Sequence, residues 1–202
     1  MKKIKIEVGA NNGRDTIKLA SDGSTVYAFE PTHELLVKDL WPLSSKNENI
    51  HIIPFAVTNE NSFQIFNIAA NRDWGCSSLY EFSENIEQKW PNRPDFKKTH
   101  YYEVPTITLY DFCNLYGIAK IDFLHIDAQG ADYNVLLSLK DKISIVEEGT
   151  VEVADKVELY SNTNNKIDDV RKFLTDNGFT IVSETANDSV GAEVNIKFIK
   201  NG

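Results

Sequence analysis

Glycine, amide and acidic residues near the start of the chain have the types and spacing of a nucleotide-binding loop. A short apolar strand pattern ends there in the run Glu7-Val8-Gly9-Ala10-Asn11-Asn12-Gly13. A dinucleotide fingerprint needs glycines at i, i+2 and i+5, whereas these glycines stand at i and i+4, with Asn11 at the middle position. Asn tolerates the left-handed backbone that such a turn demands. The turn is therefore retained, but the close approach of a pyrophosphate is disfavoured.

The acidic residue Glu7 lies two places before the first glycine, which suits a ligand with a positively charged end. S-adenosylmethionine (SAM) fits this loop, because it carries an ammonium and a sulfonium group and no phosphate. Two alternatives stay open for the loop alone. One is an NAD-dependent reductase, which the glycine spacing disfavours, and the other is a glycine-bearing turn without a ligand.

Two further strand ends carry residues that suit an adenosine. The second strand pattern ends in Tyr27–Pro31, and Glu30 lies 17 residues beyond Gly13. An acidic side chain near this offset, at the tip of the adjacent strand, can accept hydrogen bonds from both ribose hydroxyls. Ala56 and Val57 follow the third strand and can form a flat wall for an adenine ring. The alternative for Glu30 is an exposed side chain that the dipole of the next helix stabilises.

A fourth strand pattern ends in a polar cluster, His125-Ile126-Asp127-Ala128-Gln129-Gly130-Ala131-Asp132. We expect Asp127 to face the same cleft and to be the first candidate for a general base. Glu152 and His33 are the other candidates, since each is expected near the carboxyl end of a strand. His125 lies inside an apolar strand and is interpreted as a core histidine with a satisfied ring.

Short apolar runs that alternate with amphipathic stretches place these motifs on a regular framework. The runs predict strands at 4–8, 25–29, 50–55, 121–126, 149–153, 179–182 and 194–199. Helical spacing predicts helices at 14–20, 32–40, 108–116, 131–139 and 167–177. This order predicts an α/β fold in which a mostly parallel sheet has helices on both faces. Ligands of such sheets bind beyond the carboxyl ends of the strands, where the motifs above lie.

Residues 69–102 interrupt this alternation of strands and helices. They form a stretch of more than thirty residues with little periodicity, and they include the aromatic residues Trp74, Phe82, Trp90, Phe96, Tyr101 and Tyr102. Loops of this length are usually lids or binding loops, and the aromatic residues argue against disorder. We predict a lid or substrate loop, with a satellite core packed under the loop as the alternative.

Composition and charge restrict the classes of protein to which the chain can belong. The 202 residues, 42% hydrophobic and 25% charged, indicate one globular domain over 1–202. The net charge of −9 disfavours nucleic acid and anionic lipid as partners. The chain has neither an apolar window of membrane-spanning length nor a secretory leader, so we expect a cytoplasmic protein. Cys76 and Cys113 lack the number and spacing of a disulfide framework or a zinc site, and we interpret both as free thiols.

Taken in order, these motifs resemble the FkbM family of SAM-dependent methyltransferases. The resemblance rests on seven segments, which span about three quarters of the chain: Glu7–Gly13 (EVGANNG), Tyr27–Pro31 (YAFEP), Phe55–Val57 (FAV), Ser77–Leu79 (SSL), Val104–Asp111 (VPTITLYD), His125–Asp132 (HIDAQGAD) and Val151–Val153 (VEV). It implies the class I methyltransferase fold, a Rossmann-like seven-stranded sheet of order 3-2-1-4-5-7-6 with the last strand antiparallel. It also implies methyl transfer from SAM, usually to a hydroxyl oxygen of a small molecule or sugar.

The resemblance also implies roles for individual residues. Ribose binding is implied for Glu30, the adenine neighbourhood for Ala56 and Val57, and a place beside the transferred methyl group for Asp127. Pro31 is a further predicted cofactor-binding residue. The methionine end of SAM is implied to lie in the first loop, on Glu7, Gly9, Ala10, Asn11, Asn12 and Gly13.

Some features leave the acceptor and the mechanism open. The first strand begins almost at the first residue, whereas relatives usually have an upstream segment, and Gln129 stands where many relatives have Glu. A metal-dependent O-methyltransferase is a rival, since Asp127 and Asp132 faintly resemble the D-A-D loop of catechol-type enzymes. The end of the fifth strand, Val151–Asp155, lacks the Asp-Asn pair of those enzymes, so we predict no metal site. The other alternative is a catalytically silent SAM- or nucleotide-binding module of the same fold.

Overall fold

The computed structural model describes residues 2–70, 73–84, 86–187 and 193–202. Its strands are β1 Ile4–Val8, β2 Thr25–Phe29, β3 Ile50–Ile53, β4 Ala56–Val57, β5 Phe63–Ala69, β6 Lys98–Ile107, β7 Phe123–Ile126, β8 Glu148–Ala154, β9 Phe179–Ala186 and β10 Glu193–Lys200. Its α-helices are α1 Arg14–Ala20, α2 His33–Leu35, α3 Trp41–Ser44, α4 Ile86–Lys89, α5 Leu109–Leu115, α6 Asp132–Ser138 and α7 Ile167–Asp176. A π-helical turn covers Leu36–Leu40, and 3-10 turns cover Trp74–Cys76 and Lys140–Ile145. None of the helices in the described ranges is long and apolar enough to cross a membrane.

The central feature is a seven-stranded sheet of order β3-β2-β1-β7-β8-β10-β9. The pairs from β3 to β8 are parallel, and β10 is antiparallel to both β8 and β9. Counted within this sheet alone, the order reads 3-2-1-4-5-7-6 with an antiparallel last strand. The α/β fold class and the class I topology implied by the family resemblance are confirmed.

Helices cover both faces of the sheet, because alternate apolar residues of β2 point to opposite faces and both sets need to be covered. Tyr27 and Phe29 belong to the larger core, which α5, α6 and α7 close with residues such as Phe112 and Leu136. Val26 and Ala28 point to the other face, where they pack with residues of α1 and of the 36–44 segment. Because successive strand residues face opposite sides, one short strand contributes to both layers.

A second sheet, of order β4-β6-β5, was not predicted from the sequence. The residues of β6 are mostly exposed over its first half and buried only near its end, and the strand contains Pro105. Such a strand lacks the apolar alternation and the proline-free interior on which strand prediction depends. The last part of the predicted lid, from Lys98 onward, is therefore strand.

The predicted helix 32–40 is also interrupted, because Pro42 has no N–H to donate to the carbonyl one turn earlier. The chain passes instead from α2 through the π-helical turn into α3, which carries the proline in its first turn.

The rest of segment 69–102 packs its aromatic rings in a satellite core with the loop that follows β8. The ring of Phe82 stacks on Tyr160 at 5.4 Å between centroids and lies 5.5 Å from Phe96. Trp90 meets Phe96 edge to face. Residues 71, 72 and 85 of the predicted lid lie outside the described residues. The packing agrees with the satellite-core alternative, and whether the segment also moves as a lid stays a prediction.

Gly9 allows the loops after β1 and β7 to touch. Its φ is +88°, and a Cβ atom built at this position would lie 1.8 Å from the carbonyl oxygen of Asp127. The amides of Gly9 and Ala10 both point to the carbonyl of Phe29, at 3.0 and 2.9 Å. No side chain fits between these backbones, so the close approach of the two loops requires glycine.

We predict that Gly9→Ala lowers the free energy of unfolding by roughly 2 to 5 kcal/mol, since it adds a steric clash to an unfavourable φ. Urea denaturation measures the loss. Gly23→Ala is the matched control, because Gly23 has a φ of +82° but no atom within 4 Å of its added Cβ; it should lose only roughly 1 to 2 kcal/mol. Equal losses in the two variants would contradict the close-approach argument.

Candidate active site

A cleft of about 540 Å³ opens at the carboxyl ends of β1, β2 and β7. The residues that line it come from the four predicted strand ends, from β5 and from segment 69–102: Val8, Gly9, Asn11, Phe29, Glu30, Pro31, Thr32, Phe55, Ala56, Val57, Phe66, Trp74, Gly75, Ser77, Leu79, Asp127, Ala128, Gln129 and Ala131.

The structure brings together most of the predicted site residues. Those that line the cleft are Gly9, Asn11, Glu30, Pro31, Ala56, Val57 and Asp127. Four members of the first loop, Glu7, Ala10, Asn12 and Gly13, are absent from its lining. Ala10 is buried in the smaller core, and the side chain of Asn12 accepts a hydrogen bond from the amide of Arg14. Gly13, with a φ of +80°, precedes the first residue of α1.

Glu7 is buried beneath the loop, and its carboxylate contacts protein groups. The hydroxyl of Thr16 in α1 donates a hydrogen bond to Glu7 Oε2. Across the sheet, His125 Nδ1 lies 3.7 Å from Glu7 Oε1. Burial lowers the pKa of His125, but the carboxylates of Glu7, Asp127 and Asp15 together outweigh this effect, so the pKa lies above its ordinary value. Glu7 therefore ties α1 to the sheet and holds the loop from below.

Glu30 is an acidic group of the cleft that two backbone amides hold in place. The amide of Asn11 donates to its Oε2 and the amide of Thr32 to its Oε1, both at 2.8 Å. A carboxylate has about four acceptor sites, so lone pairs remain on both oxygens for donors of a ligand. Burial raises the pKa of Glu30 to about 7, although the hydrogen bonds from Thr32 and Asn11 oppose the shift.

Segment 69–102, predicted as a lid or substrate loop, supplies one wall of the cleft, although none of its residues was among the predicted site residues. Trp74, Gly75, Ser77 and Leu79 line it. A Cβ on Gly75 would lie 2.5 Å from the side-chain nitrogen of Asn11, so this wall rests directly on the first loop. The SSL motif was the available signal, but only the fold brings these residues to the strand ends.

The turn after β7 is held by Asp132, which is fully buried. Its carboxylate accepts from the amides of Ala128 and Gly130 and from the side chain of Asn165, at 2.5, 3.0 and 2.9 Å. These bonds stabilise the left-handed backbone of Gln129, which has a φ of +50°. Asp132 is thus a structural residue of the turn, and its oxygens are occupied by protein donors.

Gln129 connects Asp127 to Glu152. Its side-chain Nε2 lies 2.5 Å from Asp127 Oδ1 and 3.2 Å from Glu152 Oε2. Glu152 is 2% exposed and does not line the cleft. Burial, followed by the charges of Asp127 and other nearby carboxylates, raises the pKa of Glu152 well above its usual range. Of the candidate bases, only Asp127 reaches the cleft, because His33 in α2 is also absent from its lining.

Charge distribution restricts what the cleft can hold. None of the described residues that line it is Lys, Arg or His, whereas Glu30 and Asp127 are acidic. A pyrophosphate would therefore have no cation to neutralise it. Within the described residues, a group of three possible metal ligands occurs only at Asp73, Cys76 and Asp95, none of which lines the cleft. The guanidinium of Arg93 lies 2.6 Å from Asp95 and 3.8 Å from Asp73 and Cys76 there.

A family model and several solved structures resemble the chain. The model for the methyltransferase FkbM domain matches residues 7–181. No curated protein sequence matches the chain significantly. The methyltransferase FkbM from Methylobacillus flagellatus KT superposes with a TM-score of 0.59 at 12% identity, over 98% of this chain and 43% of that protein. The chain thus spans less than half the length of that relative.

Two other solved structures have similar folds. An rRNA methylase from Streptococcus thermophilus superposes with a TM-score of 0.52 at 16% identity, over 100% of this chain and 88% of that protein. Magnesium protoporphyrin IX methyltransferase from Synechocystis PCC 6803, with bound SAM, has a TM-score of 0.54 at 12% identity, over 99% of this chain and 71% of that protein. These likenesses support the class I methyltransferase fold.

We predict that Glu30→Gln weakens adenosine binding by roughly 10- to 100-fold at pH 8, because a charged acceptor is worth about 1.5 to 3 kcal/mol. Adenosine has the ribose hydroxyls and lacks the amino-acid end, so the effect of the substitution on its affinity reports on the ribose site and not on the methionine site. The difference from wild type should shrink below about pH 7, where Glu30 takes up a proton. Calorimetry between pH 6 and 8 measures both effects, with the exposed Glu48→Gln as control. A pH-independent difference would contradict the titration of Glu30.

Proposed function

The chain belongs to the FkbM methyltransferase family, and on this basis we propose that it transfers the methyl group of SAM to a hydroxyl oxygen of a small molecule or carbohydrate. The observation that carries the proposal is the charge of the cleft. Two carboxylates, Glu30 and Asp127, face a cleft whose described lining has no cationic side chain. A cationic, phosphate-free adenosine ligand fits this cavity better than NAD does.

Each part of SAM has a matching part of the cleft. Glu30 has free lone pairs on both oxygens for the two ribose hydroxyls. Pro31, Ala56 and Val57 offer apolar surface for the adenine ring. Gly9 and Asn11 bring backbone close to the methionine end of SAM. The other residues of the first loop lie outside the cleft and support these two. When bound, SAM would supply a methyl group on a positively charged sulfur, which an acceptor could attack in line with S-adenosylhomocysteine as the leaving group.

Positioning and proton removal are the tasks left to the protein. Holding two reactants at roughly 3 to 3.5 Å can supply about 7 to 11 kcal/mol, whereas a general base adds about 10² to 10⁴-fold. Asp127 lines the cleft and, unlike Glu30, is not held by backbone amides. We therefore propose that Asp127 accepts the proton of the acceptor hydroxyl. Glu30 already holds two amides and serves binding.

A small acceptor suits the charge of the protein better than nucleic acid does. The net charge is −9, and a phosphate backbone needs Lys and Arg to neutralise it. The fold itself does not decide this point, because an rRNA methylase is among the proteins with a similar structure.

The proposal is tested with SAM that carries an isotope-labelled methyl group. The protein is incubated with labelled SAM and a panel of sugars, nucleotide sugars, hydroxy acids and short RNAs. We expect label on an oxygen of a hydroxyl compound, which the NMR chemical shift of the methyl carbon identifies. Label on RNA or on nitrogen would overturn the acceptor class. Binding of SAM without transfer to any compound would favour a catalytically silent module, and binding of NADH in place of SAM would favour a reductase.

We further propose that residues 73–80 of segment 69–102 cover the bound cofactor. Trp74 and Leu79 line the cleft, and Ser78 anchors the segment by donating to the carbonyl of Gln129 at 2.6 Å.

On this basis we predict that backbone amides from Trp74 to Tyr80 exchange hydrogen more slowly when S-adenosylhomocysteine (SAH) is added, because lids gain order on closure. Amides of the edge strand β9 serve as the control. Unchanged exchange with SAH bound would leave the segment as a satellite core only.

We predict that Asp127→Asn lowers the single-turnover rate by about 10² to 10⁴-fold, because the amide keeps the shape of the side chain but cannot take a proton. SAM affinity should change by much less than the rate. Rapid-quench kinetics with the acceptor found above, together with calorimetry, separate the two effects. Asp141→Asn, on an exposed turn, is the matched control. Wild-type values of both quantities would remove Asp127 from the site.

A further inference from the structure

We propose that Asp127 and Glu152, bridged by Gln129, form a pair of carboxylates that share one proton. The single negative charge of this pair matches the positive charge of the sulfonium. The pair takes up the acceptor's proton as the sulfonium charge disappears. The inference rests on the proposed function and deepens it. It makes Glu152 and Gln129 positioning residues that act through Asp127, although Glu152 does not reach the cleft.

The bridge has a defined orientation. The hydroxyl of Tyr160 lies 2.7 Å from Gln129 Oε1, and Gln129 Nε2 faces the two carboxylates. The reverse orientation would place the amide oxygen against two acceptors, so the carboxylates select the one described. The backbone of Gln129 is fixed as well, because Ser78 donates to its carbonyl and Asp132 holds the amides on either side. Both hydrogens of one amide therefore join two acids.

The described residues offer the pair no direct ion-pair partner, although the ring of His125 in β7 interacts electrostatically with Asp127. Among the described residues, no Lys, Arg or His forms an ion pair with Asp127 or Glu152. A second donor to Glu152 among the described residues is the neutral side chain of Asn187. The titratable groups that act on Glu152 and Tyr160 are Asp127 of the cleft, Glu193 of β10, Asp132 of α6 and Cys76.

Ionising both carboxylates in this buried site is unfavourable, because two negative charges that share one amide repel each other. The two groups therefore titrate as a coupled pair. The pair therefore holds one proton and one negative charge, and Asp127 is the member exposed to a ligand.

This arrangement keeps the charge of the site balanced through methyl transfer. The acceptor oxygen forms a bond to the methyl carbon, the carbon–sulfur bond breaks, and its electron pair stays on sulfur to give neutral SAH. The hydroxyl proton of the acceptor passes to Asp127, so the pair then holds two protons and no charge. The positive charge on sulfur and the negative charge on the pair vanish together. The product state therefore contains no unpaired buried carboxylate, and water later removes the extra proton.

The test needs no acceptor, because SAM and SAH differ in the charge on sulfur. Calorimetry from pH 5.5 to 8.5, in two buffers with different ionisation heats, gives the affinity of each ligand and the protons exchanged. For wild type we expect SAH binding to take up more protons than SAM binding at the same pH. We also expect the preference for SAM over SAH to disappear as the pH is lowered. Equal proton exchange for the two ligands would overturn the proposal without any variant.

Two variants locate the effect. Glu152→Gln replaces the second acid by an amide that can neither take up nor share the proton, so one charge is no longer shared between two carboxylates and the midpoint of the SAM preference should shift up by about one pH unit. Gln129→Met keeps the length of the side chain but removes the donor to both acids, so the midpoint should shift up by about one pH unit. Gln88→Met, on the exposed side of α4, is the matched control and should keep the wild-type midpoint.

Identical midpoints in wild type and in either folded variant would overturn the pair. A wild-type protein that binds neither SAM nor SAH would instead overturn the proposed function, so the two failures are distinguishable.

Discussion

The contact between the backbone of Gly9 and the carbonyl of Asp127 is the constraint on which the site depends. Adjacent parallel strands β1 and β7 send their chains to opposite sides, and the cleft opens where they diverge. With no side chain between them, the two loops lie close enough for one ligand to contact both. The carboxylates beneath these loops, Glu7 and Asp132, are each satisfied by protein donors and hold this geometry in place.

The second organising feature is an excess of buried carboxylate over cation. Glu30 and Glu152 are nearly inaccessible to solvent, and burial raises the pKa of both. An isolated buried charge is costly, so such groups persist where a ligand brings the missing charge or hydrogen bonds. In this cleft the two acids that face the cavity have different surroundings. Two amides hold Glu30 in one place, while Asp127 shares a neutral amide with a second acid. The first arrangement suits binding, and the second suits the movement of a proton.

Segment 69–102 contributes both to the satellite core and to the wall of the cleft. Its aromatic rings pack against Tyr160, whose hydroxyl contacts both Gln129 and the carbonyl of Cys76. The same segment supplies a wall of the cleft through Trp74 and Leu79. A change in the satellite core can therefore reach the carboxylate pair through one buried tyrosine. This coupling gives a physical reason why the stretch is both aromatic and poor in regular structure.

Local patterns in the sequence were sufficient to predict the strands and helices of the large sheet and part of the lining of the cleft. Apolar runs with period two and helices with period 3.6 are set by neighbours along the chain, so the large sheet, its flanking helices, and Glu30 and Asp127 at its carboxyl ends could be predicted. The tertiary structure alone decided that Glu7 turns away from the cleft, that Asp132 closes a turn, and that Gln129 bridges to Glu152. It also decided the pairing of β5 with β6 and the wall formed by Trp74 and Leu79. These contacts join residues far apart in the chain, and their geometry follows from how the layers pack, which no local period encodes.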